Sequence, residues 1–345
     1  MPQLRSLNAT QTLQPRALKL APLFVFLMKS IKLKLRNLFF LFSSLVLGFL
    51  ISLAITFLLS YLTAPRIPLL GFHGIIDSEK PDPISVQRQV PPEMDYDKRD
   101  LEKFLEYLIR NKYWFITPQD IYDFFLIHSK EIPPEHLGQR PIMLSFDDGY
   151  KTIHTNLLPL LEKLEKKYTQ KVKVVLFVNP GTLAKSKNPN ESHMSCQNLR
   201  EGFKKGFYDV QSHGLNHKNL TKVNQQNLID ELAKAQSQLR ECLKDLDPNQ
   251  KVASHLAYPY GDSNQKVESY ASRYYVSSYL YNSRVLRSCW LKNYYQIPRL
   301  TVNRRKSPSQ LIEMADKSHQ LMVNEKCYYI TLPSKPPDIQ IDENF

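Results

Sequence analysis

Glycine and cysteine are scarce in this chain, which has only 10 glycines and 4 cysteines among its 345 residues. No Gly-rich phosphate-binding loop is present, so the sequence does not support a nucleotide site of that kind. None of the cysteines belongs to a Cys-x-x-Cys pair, and a cysteine-ligated zinc site is therefore unsupported as well. Their even number permits disulfides, although the sequence does not determine which cysteines pair.

Acidic side chains are absent from the first 37 residues, which contain seven of the 46 Lys and Arg residues. The remaining 308 residues hold 39 basic and 33 acidic groups, a net charge of +6, against +13 for the whole chain. More than half of the excess positive charge therefore lies in a local tail. A nucleic-acid-binding face would need its charge on the folded part of the chain, so we expect no nucleic-acid partner.

Charged residues of either sign are absent from Leu38 to Leu62, a run of 25 residues that are mostly apolar. Spanning a bilayer takes about 20 apolar residues, whereas the core of a cleaved signal peptide is usually about 7–15 residues long. The pattern therefore favours an uncleaved transmembrane anchor at 38–62 over a signal peptide or a buried core helix. Because basic residues precede the span, residues 1–37 are predicted to be a cytoplasmic tail and the rest periplasmic or extracellular.

Apolar strand patterns alternate with amphipathic helical patterns after the anchor. Strand 142–146 is followed by helix 152–168, and strand 207–212 by helix 224–246. Such alternation predicts an α/β fold with a parallel sheet or barrel. Further strands are expected at 66–72, 171–178, 254–258, 274–279, 296–302 and 326–332, further helices at 96–111, 118–128, 264–273 and 308–322, and a polar loop at 184–198.

Side chains suited to metal chemistry directly follow two of these strands. Asp147 and Asp148 follow one, and His213 follows another, with His217 four residues later. The carboxyl ends of parallel strands lie on one face of a barrel, where active sites are built. Asp148 and the two histidines would then form a two-His, one-carboxylate set that leaves a coordination position for water.

A divalent metal in such a set lowers the pKa of its bound water to about 7, and Asp147 could accept the proton of that water. Three other interpretations remain open from the residues alone. Asp148-Gly149 is also a common turn dipeptide, and the same three ligands could form a structural metal site or a non-haem iron site.

Three segments resemble the first motifs of a known enzyme family. They are Ser145-Phe-Asp-Asp-Gly149, His213-Gly-Leu-Asn-His217 and Ala257-Tyr-Pro-Tyr-Gly261. In this order they are similar to the polysaccharide deacetylases, carbohydrate esterase family 4, which carry the NodB homology domain. His73-Gly-Ile75 and Ile297-Pro-Arg-Leu-Thr-Val302 resemble the branch that acts on exopolysaccharides such as poly-N-acetylglucosamine.

The resemblance, which runs from about Arg66 to Leu332, implies a distorted (β/α)7 barrel after the single transmembrane helix. It implies that Asp147 is the general base and that Asp148, His213 and His217 bind the metal. The backbone N–H of Tyr260 would help to stabilise the oxyanion. The implied reaction is hydrolysis of N-acetyl groups on N-acetylglucosamine units, which gives acetate and a free amine.

Two departures from the family pattern concern the support of the base and the general acid. Ala257 occupies the position where the family often has an Arg that steadies the base, and Arg299 is a candidate replacement in space. The family's last motif usually offers a His as general acid, and 326–332 contains none. His73 is a candidate residue of the pocket.

The resulting prediction is a membrane-anchored, metal-dependent polysaccharide N-deacetylase with its domain at 66–335 and a C-terminal tail at 336–345. Zinc is the favoured metal, with cobalt or nickel as alternatives. The predicted partners are N-acetylated polysaccharide and, through the anchor, the lipid bilayer. Tyr258 and Pro259 are expected in the substrate pocket. The alternatives are a catalytically weakened carbohydrate-binding or scaffold protein of the same fold, and a hydrolase for a non-glycan amide.

Overall fold

The computed structural model of the protein describes residues 21–79, 92–185 and 191–318. The chain forms two compact units, residues 1–63 and 64–345. The first contains helix α1, Ala21–Thr63, and Phe24–Leu59 is long and apolar enough to cross a membrane. The predicted span 38–62 is the C-terminal part of this helix. The helix starts earlier than the apolar run because no proline follows Pro22 and no glycine precedes Gly48 within it.

The second unit is built on a parallel sheet. The strands of the unit are β1 (Arg66–Ile67), β2 (Leu69–Phe72), β3 (Ile75–Ile76), β4 (Tyr96–Asp97), β5 (Trp114–Phe115), β6 (Pro141–Asp147), β7 (Val174–Val178), β8 (Tyr208–Ser212), β9 (His255–Ala257), β10 (Ser277–Tyr279), β11 (Leu286–Arg287) and β12 (Leu300–Thr301). The main strands run in the order β10-β9-β8-β7-β6-β2-β12, with β5 paired to the start of β6. Every neighbouring pair in this sheet is parallel.

The sheet curls so that its two ends approach each other. Ile297 forms a parallel bridge with Tyr279 of β10, while Leu300 of β12 pairs with Leu70 of β2. The four-residue segment 297–300 therefore links β10, at one edge of the sheet, to β2, near the other edge. This arrangement confirms the predicted α/β fold with a distorted, barrel-like parallel sheet. β12 is shorter than the predicted strand 296–302, in part because Pro298 has no N–H to donate to a neighbouring strand.

Helices cover the outside of the sheet and pack their apolar faces against it. α2 buries Leu101, Phe104, Leu105 and Leu108, whose spacing of three and four residues places them on one face. β6 and β7 are buried at every residue, as expected for strands covered on both sides. The helices are α2 (Lys98–Arg110), α3 (Pro118–Asp120, continued by the π-helical Ile121–Leu126), α4 (Leu158–Tyr168, preceded by the π-helical Ile153–Leu157), α5 (Cys196–Lys204), α6 (Gln225–Leu243), α7 (Gln265–Ala271) and α8 (Pro308–Ala315).

Helix α5 was not predicted, and the loop expected at 184–198 ends at Ser195. The Ser195 side chain accepts from the backbone N–H of Asn198, and Asn198 bonds back to the Ser195 backbone, which forms a capping box. A disulfide joins Cys196 to Cys242 of α6. The polar sequence of this segment did not indicate a helix. The capping box and the disulfide, which stabilise the short helix, involve contacts that the apolar spacing does not predict. The strand predicted at 326–332 and the tail 336–345 lie outside the described residues.

Candidate active site

Seven of the nine predicted site residues line one cleft of about 730 Å³ at the carboxyl ends of the strands. β6 delivers Asp147 and then Asp148, and β8 is followed by His213. The predicted residues that line the cleft are His73, Asp147, Asp148, His213, His217, Tyr258 and Tyr260. Arg299 is fully buried and lies behind Asp147, outside the cleft lining. Pro259 is also buried.

Asp148 faces both histidines. Its Oδ1 atom lies 3.4 Å from His213 Nε2 and 3.2 Å from His217 Nε2, and possible ligand atoms of the three residues all lie within 4.8 Å of one another. Asp148 adopts a left-handed conformation with φ of 71°, which Asp tolerates better than most residues. Its Oδ1 is buried and makes no hydrogen bond within the part of the chain that the structure describes.

The orientation of His213 leaves a lone pair available for a metal. Its Nδ1 lies 2.8 Å from the carbonyl oxygen of Ala257. Because a carbonyl can only accept, we assign a proton to Nδ1, so Nε2, which faces Asp148, is the nitrogen whose lone pair a metal can take. The His217 ring packs between those of His213 and Tyr260, with centroids 5.1 and 4.7 Å away.

The charges around the cluster favour a cation. Burial alone would raise the pKa of Asp148, but the neighbouring imidazoles of His213 and His73 hold that pKa well below its usual range. Burial also opposes protonation of His213, yet the carboxylates of Asp147 and Asp148 raise its pKa overall. Burial lowers the pKa of His217 to about 4, so its imidazole is neutral at physiological pH.

This donor set fits a divalent metal. A buried carboxylate oxygen without a hydrogen bond is costly unless a cation compensates it, and Asp148 Oδ1 is such an atom. Two imidazoles and one carboxylate match the ligands of catalytic zinc, which keep a further position for water or substrate. The three residues could therefore hold the metal, and their assignment as ligands remains a prediction.

Asp147 has a different environment, because its carboxylate is held by a guanidinium. Arg299 donates from Nη1 and Nη2 to its two oxygens at 2.7 and 2.8 Å. Arg299 also donates to Ser145 Oγ and the Leu280 carbonyl, both at 3.0 Å. Burial would raise the pKa of Asp147, but Arg299 keeps it below its usual range. The structure thus brings Arg299 to Asp147, the predicted base, which Ala257 cannot support.

Two other predicted residues complete the cleft. Tyr260 has φ of 63°, a conformation that is strained for an aromatic residue, and its side chain is 66% exposed. His73 packs its ring edge-on against Tyr281 at 5.5 Å. The Nδ1 atom of His73 is buried without a hydrogen-bond partner among the described residues.

Sequence reasoning missed Asn179 and Tyr281, which also line the cleft. Asn179 donates from its side chain to the carbonyl oxygens of His213 and Gly214, and it follows β7 directly. The strand-end rule that selected Asp147 could therefore have found it. Tyr281 donates to the Gly71 carbonyl, and no signal in the sequence indicates that contact.

Comparison with known proteins finds similarity to polysaccharide deacetylases. The model of the polysaccharide deacetylase family matches residues 135–278. A poly-β-1,6-N-acetyl-D-glucosamine N-deacetylase of Staphylococcus aureus is 28% identical over 134 residues, which cover 36% of this chain and 42% of that protein. The match thus spans about two-fifths of the length of the curated relatives.

Solved structures of deacetylases share the fold. The deacetylase PplD of Streptococcus pyogenes aligns with a TM-score of 0.58 at 18% identity, over 73% of this chain and 99% of that one. A polysaccharide deacetylase of Bacillus cereus aligns with a TM-score of 0.57 at 19% identity, over 73% and 69%. IcaB of Ammonifex degensii aligns with a TM-score of 0.55 at 19% identity, over 73% and 97%.

Proposed function

We propose that this chain, in which the model of the polysaccharide deacetylase family matches residues 135–278, hydrolyses N-acetyl groups of an N-acetylglucosamine-containing polysaccharide in a metal-dependent reaction. One observation carries the proposal. A carboxylate held by an arginine, Asp147, lies in one cleft beside a cluster of Asp148 and two histidines. The match to a poly-β-1,6-N-acetyl-D-glucosamine N-deacetylase supports a β-1,6-linked polymer as the first substrate to test.

Asp148, His213 and His217 would hold the metal, which we expect to be zinc, with cobalt or nickel as alternatives. When bound, such a metal supplies a Lewis acid for the acetamide carbonyl and lowers the pKa of water. The protein's own part is to fix the ligand atoms in place. The bond from His213 to the Ala257 carbonyl orients one imidazole, and the neutral state of His217 keeps the other ready to bind.

Asp147 accepts the proton of the attacking water in this scheme. Arg299 keeps it ionised and fixes its plane, since both guanidinium nitrogens bond to it. Each oxygen retains a further lone pair for the water proton. The Arg299 contact also weakens the rival interpretation of a catalytically inactive scaffold, because Ala257 no longer implies an unsupported base.

Two steps remain, stabilisation of the oxyanion and protonation of the leaving nitrogen, and we assign them to Tyr260 and His73. The backbone N–H of Tyr260, at the rim of the cleft, donates to the oxyanion that develops on the acetamide oxygen. The leaving nitrogen needs a proton to depart as an amine, and His73 is an imidazole of the cleft, outside the ligand set, whose buried Nδ1 lacks a partner in the described chain. We assign it the role of general acid. The products are then acetate and the free amine.

We also propose that helix α1 anchors the enzyme in a membrane, with residues 1–37 in the cytoplasm and the domain outside. The helix is long and apolar enough to cross, and basic residues precede its apolar run without acidic ones. Protease added to sealed spheroplasts should digest the domain. Digestion only after the membrane is opened would contradict this orientation.

The test of the activity is acetate release by the full-length chain in detergent micelles. We expect release from β-1,6-linked N-acetylglucosamine oligomers, its loss after treatment with a chelator, and its return with Zn²⁺ or Co²⁺. Small N-acetylated amides serve as the comparison substrate, because preference for them would favour a hydrolase of non-glycan amides. Tight glycan binding without acetate release by the metal-loaded protein would contradict the proposal and favour the scaffold.

A further inference from the structure

A buried charge outside the cleft lies beside the predicted metal-binding loop. Glu231 of α6 is only 1% exposed and shares the inner face of its helix with Leu228 and Leu232. Burying a carboxylate costs several kcal/mol unless hydrogen bonds or a cation compensate it. An inward-facing Glu among leucines therefore needs hydrogen-bond donors or a cation in the part of the domain on which the helix packs.

Those partners belong to the residue that precedes His217. Glu231 Oε2 accepts from the backbone N–H of Asn216 at 2.8 Å, and Oε1 accepts from the Asn216 side chain at 3.1 Å. The half-exposed Lys218 lies 3.9 Å from Oε1. The carboxylate is thus bonded to the main chain between the two histidines, and the cation beside it makes a longer contact.

The loop from His213 to His217 contacts this carboxylate closely. Gly214 and His217 both have left-handed backbones, with φ of 75° and 57°. A Cβ atom on Gly214 would lie 3.3 Å from Glu231 Oε2, so the turn packs directly on it. A non-glycine residue in this conformation is strained and persists only where its surroundings hold it.

The helix also holds the other end of the loop. The Tyr275 hydroxyl lies 2.8 Å from the carbonyl oxygen of Leu232 and 2.9 Å from Ser212 Oγ. Ser212 directly precedes His213, and its Oγ accepts from the backbone N–H of Gly214 at 3.3 Å. Two consecutive residues of α6 therefore fix the chain before each histidine.

From these contacts we propose that Glu231 is a positioning residue for the metal centre, which holds the 213–217 turn in the conformation that directs His217 at Asp148. The inference rests on the proposed metal-dependent function. The carboxylate acts through its hydrogen bonds to Asn216, which require a side chain of this length. It does not touch the metal or the substrate. Residues that support ligands in this way typically change metal affinity by about 10- to 100-fold.

The experiment measures the affinity of the full-length chain for Zn²⁺ and Co²⁺ in detergent, by competition with a chelating dye. Glu231→Gln keeps the length of the side chain and removes the charge: its oxygen can still accept from the Asn216 backbone N–H, and its NH2 group can donate to the Asn216 side-chain oxygen once that amide turns over. Glu231→Asp keeps the charge and shortens the side chain. We expect Glu231→Gln to bind like the wild type. Glu231→Asp and Glu231→Leu should bind about 10- to 100-fold more weakly, with an altered visible spectrum of the Co²⁺ form.

The matched control is Asp230→Asn, one position earlier on the exposed side of α6, where the carboxylate pairs with Lys234. It should leave metal affinity unchanged. Near-ultraviolet circular dichroism of the metal-free variants checks that they fold. If Glu231→Leu does not fold, the comparison of Glu231→Asp with Glu231→Gln decides alone.

Wild-type affinity in Glu231→Asp would overturn the inference, and so would an equal loss in Glu231→Gln and Glu231→Asp, which would assign the role to charge. Either result leaves the proposed function intact as long as the wild type binds metal. A wild type that binds neither ion would instead refute the metal centre itself.

Discussion

The candidate site has two halves, built around the consecutive residues Asp147 and Asp148. They differ in the groups that contact the two carboxylates. Asp147 is bonded at both oxygens to a buried guanidinium. Asp148 turns through a left-handed backbone and leaves a buried oxygen without a hydrogen bond in the described structure, facing two imidazoles. We call these the base half (Asp147, Arg299) and the ligand half (Asp148, His213, His217).

The difference shows that surroundings, and not residue type, separate the proposed roles. Arg299 compensates the charge of Asp147 permanently, so that carboxylate stays ionised and available to accept a proton. No arginine or lysine pairs with Asp148 among the described residues, and we propose that a metal ion compensates this carboxylate when it binds. The comparison can be tested by changing each half separately.

The largest effect is expected from the ligand half. His213→Ala removes an imidazole whose Nε2 faces Asp148, so metal retained after dialysis and acetate release should both fall to background. Metal analysis and the acetate assay on the same preparation measure this result. His154→Ala, at a part-buried histidine outside the cleft, is the control and should retain both. Metal binding at the wild-type level in His213→Ala would show that the ligand half is wrongly assigned.

The next effect concerns the base half. Arg299→Met leaves the buried Asp147 unpaired, and breaking such a pair costs about 3–5 kcal/mol in the free energy of unfolding. Activity should fall as well, since the pKa of Asp147 rises without the guanidinium. Adding Asp147→Asn should restore part of the stability, because the uncompensated charge is then gone. Urea unfolding measures both changes.

The exposed Arg305→Met is the matched control and should be close to the wild type in stability. If Arg299→Met loses no more stability than Arg305→Met, the proposed dependence of Asp147 on Arg299 fails.

A smaller effect is expected from His255, a buried histidine whose ring, unlike that of His213, contacts no carboxylate in the described part of the chain. His255 is buried like His213, but its ring contacts Ser277 Oγ at 2.8 Å and Gln119 Oε1 at 3.3 Å, a hydroxyl and an amide. Burial lowers its pKa to about 3, whereas an imidazole in the unfolded chain titrates near 6.5. As the pH falls below about 6.5 the unfolded state takes up the proton first, so this contribution to stability is constant above that pH and is lost below it, by up to about 1.4 kcal/mol per pH unit.

Urea unfolding at pH 7.5 and 5.5 measures this loss, and His255→Gln should reduce it. His128→Gln, at an exposed histidine, should unfold with the same pH dependence as the wild type. An unchanged pH dependence in His255→Gln would show that His255 takes up a proton in the folded protein as readily as in the unfolded chain.

Much of the fold and the ligand half could be predicted because both depend on local sequence. Asp148 and His213 follow apolar strands, and His217 lies one turn beyond, so the alternation of strands and helices was enough to bring them together. The motifs that resemble polysaccharide deacetylases lie in these same segments. Because the strands are parallel, their carboxyl ends lie on one face of the sheet, and the residues that follow them meet in the cleft.

The supports of the site could not be predicted with the same ease, because they come from distant segments. Arg299 meets Asp147 across 152 residues of sequence, where the curled sheet returns to its first strand, and its role as a support of Asp147 was expected only from the resemblance. Glu231 reads as one charged residue of an amphipathic helix, and its inward orientation appears only when α6 is packed. Helix α5 was missed because it depends on a cap and a disulfide to α6.

The most direct test of the account compares Asp147→Asn with Asp148→Asn, two substitutions of the same kind at consecutive positions. Bound metal and acetate release are measured on the same preparations of the full-length chain. Asp147→Asn should bind metal like the wild type and lose activity by about 10²- to 10⁴-fold, whereas Asp148→Asn should lose the metal and the activity together. Equal metal loss in both variants, or wild-type activity in Asp147→Asn, would contradict the division of roles between the two carboxylates.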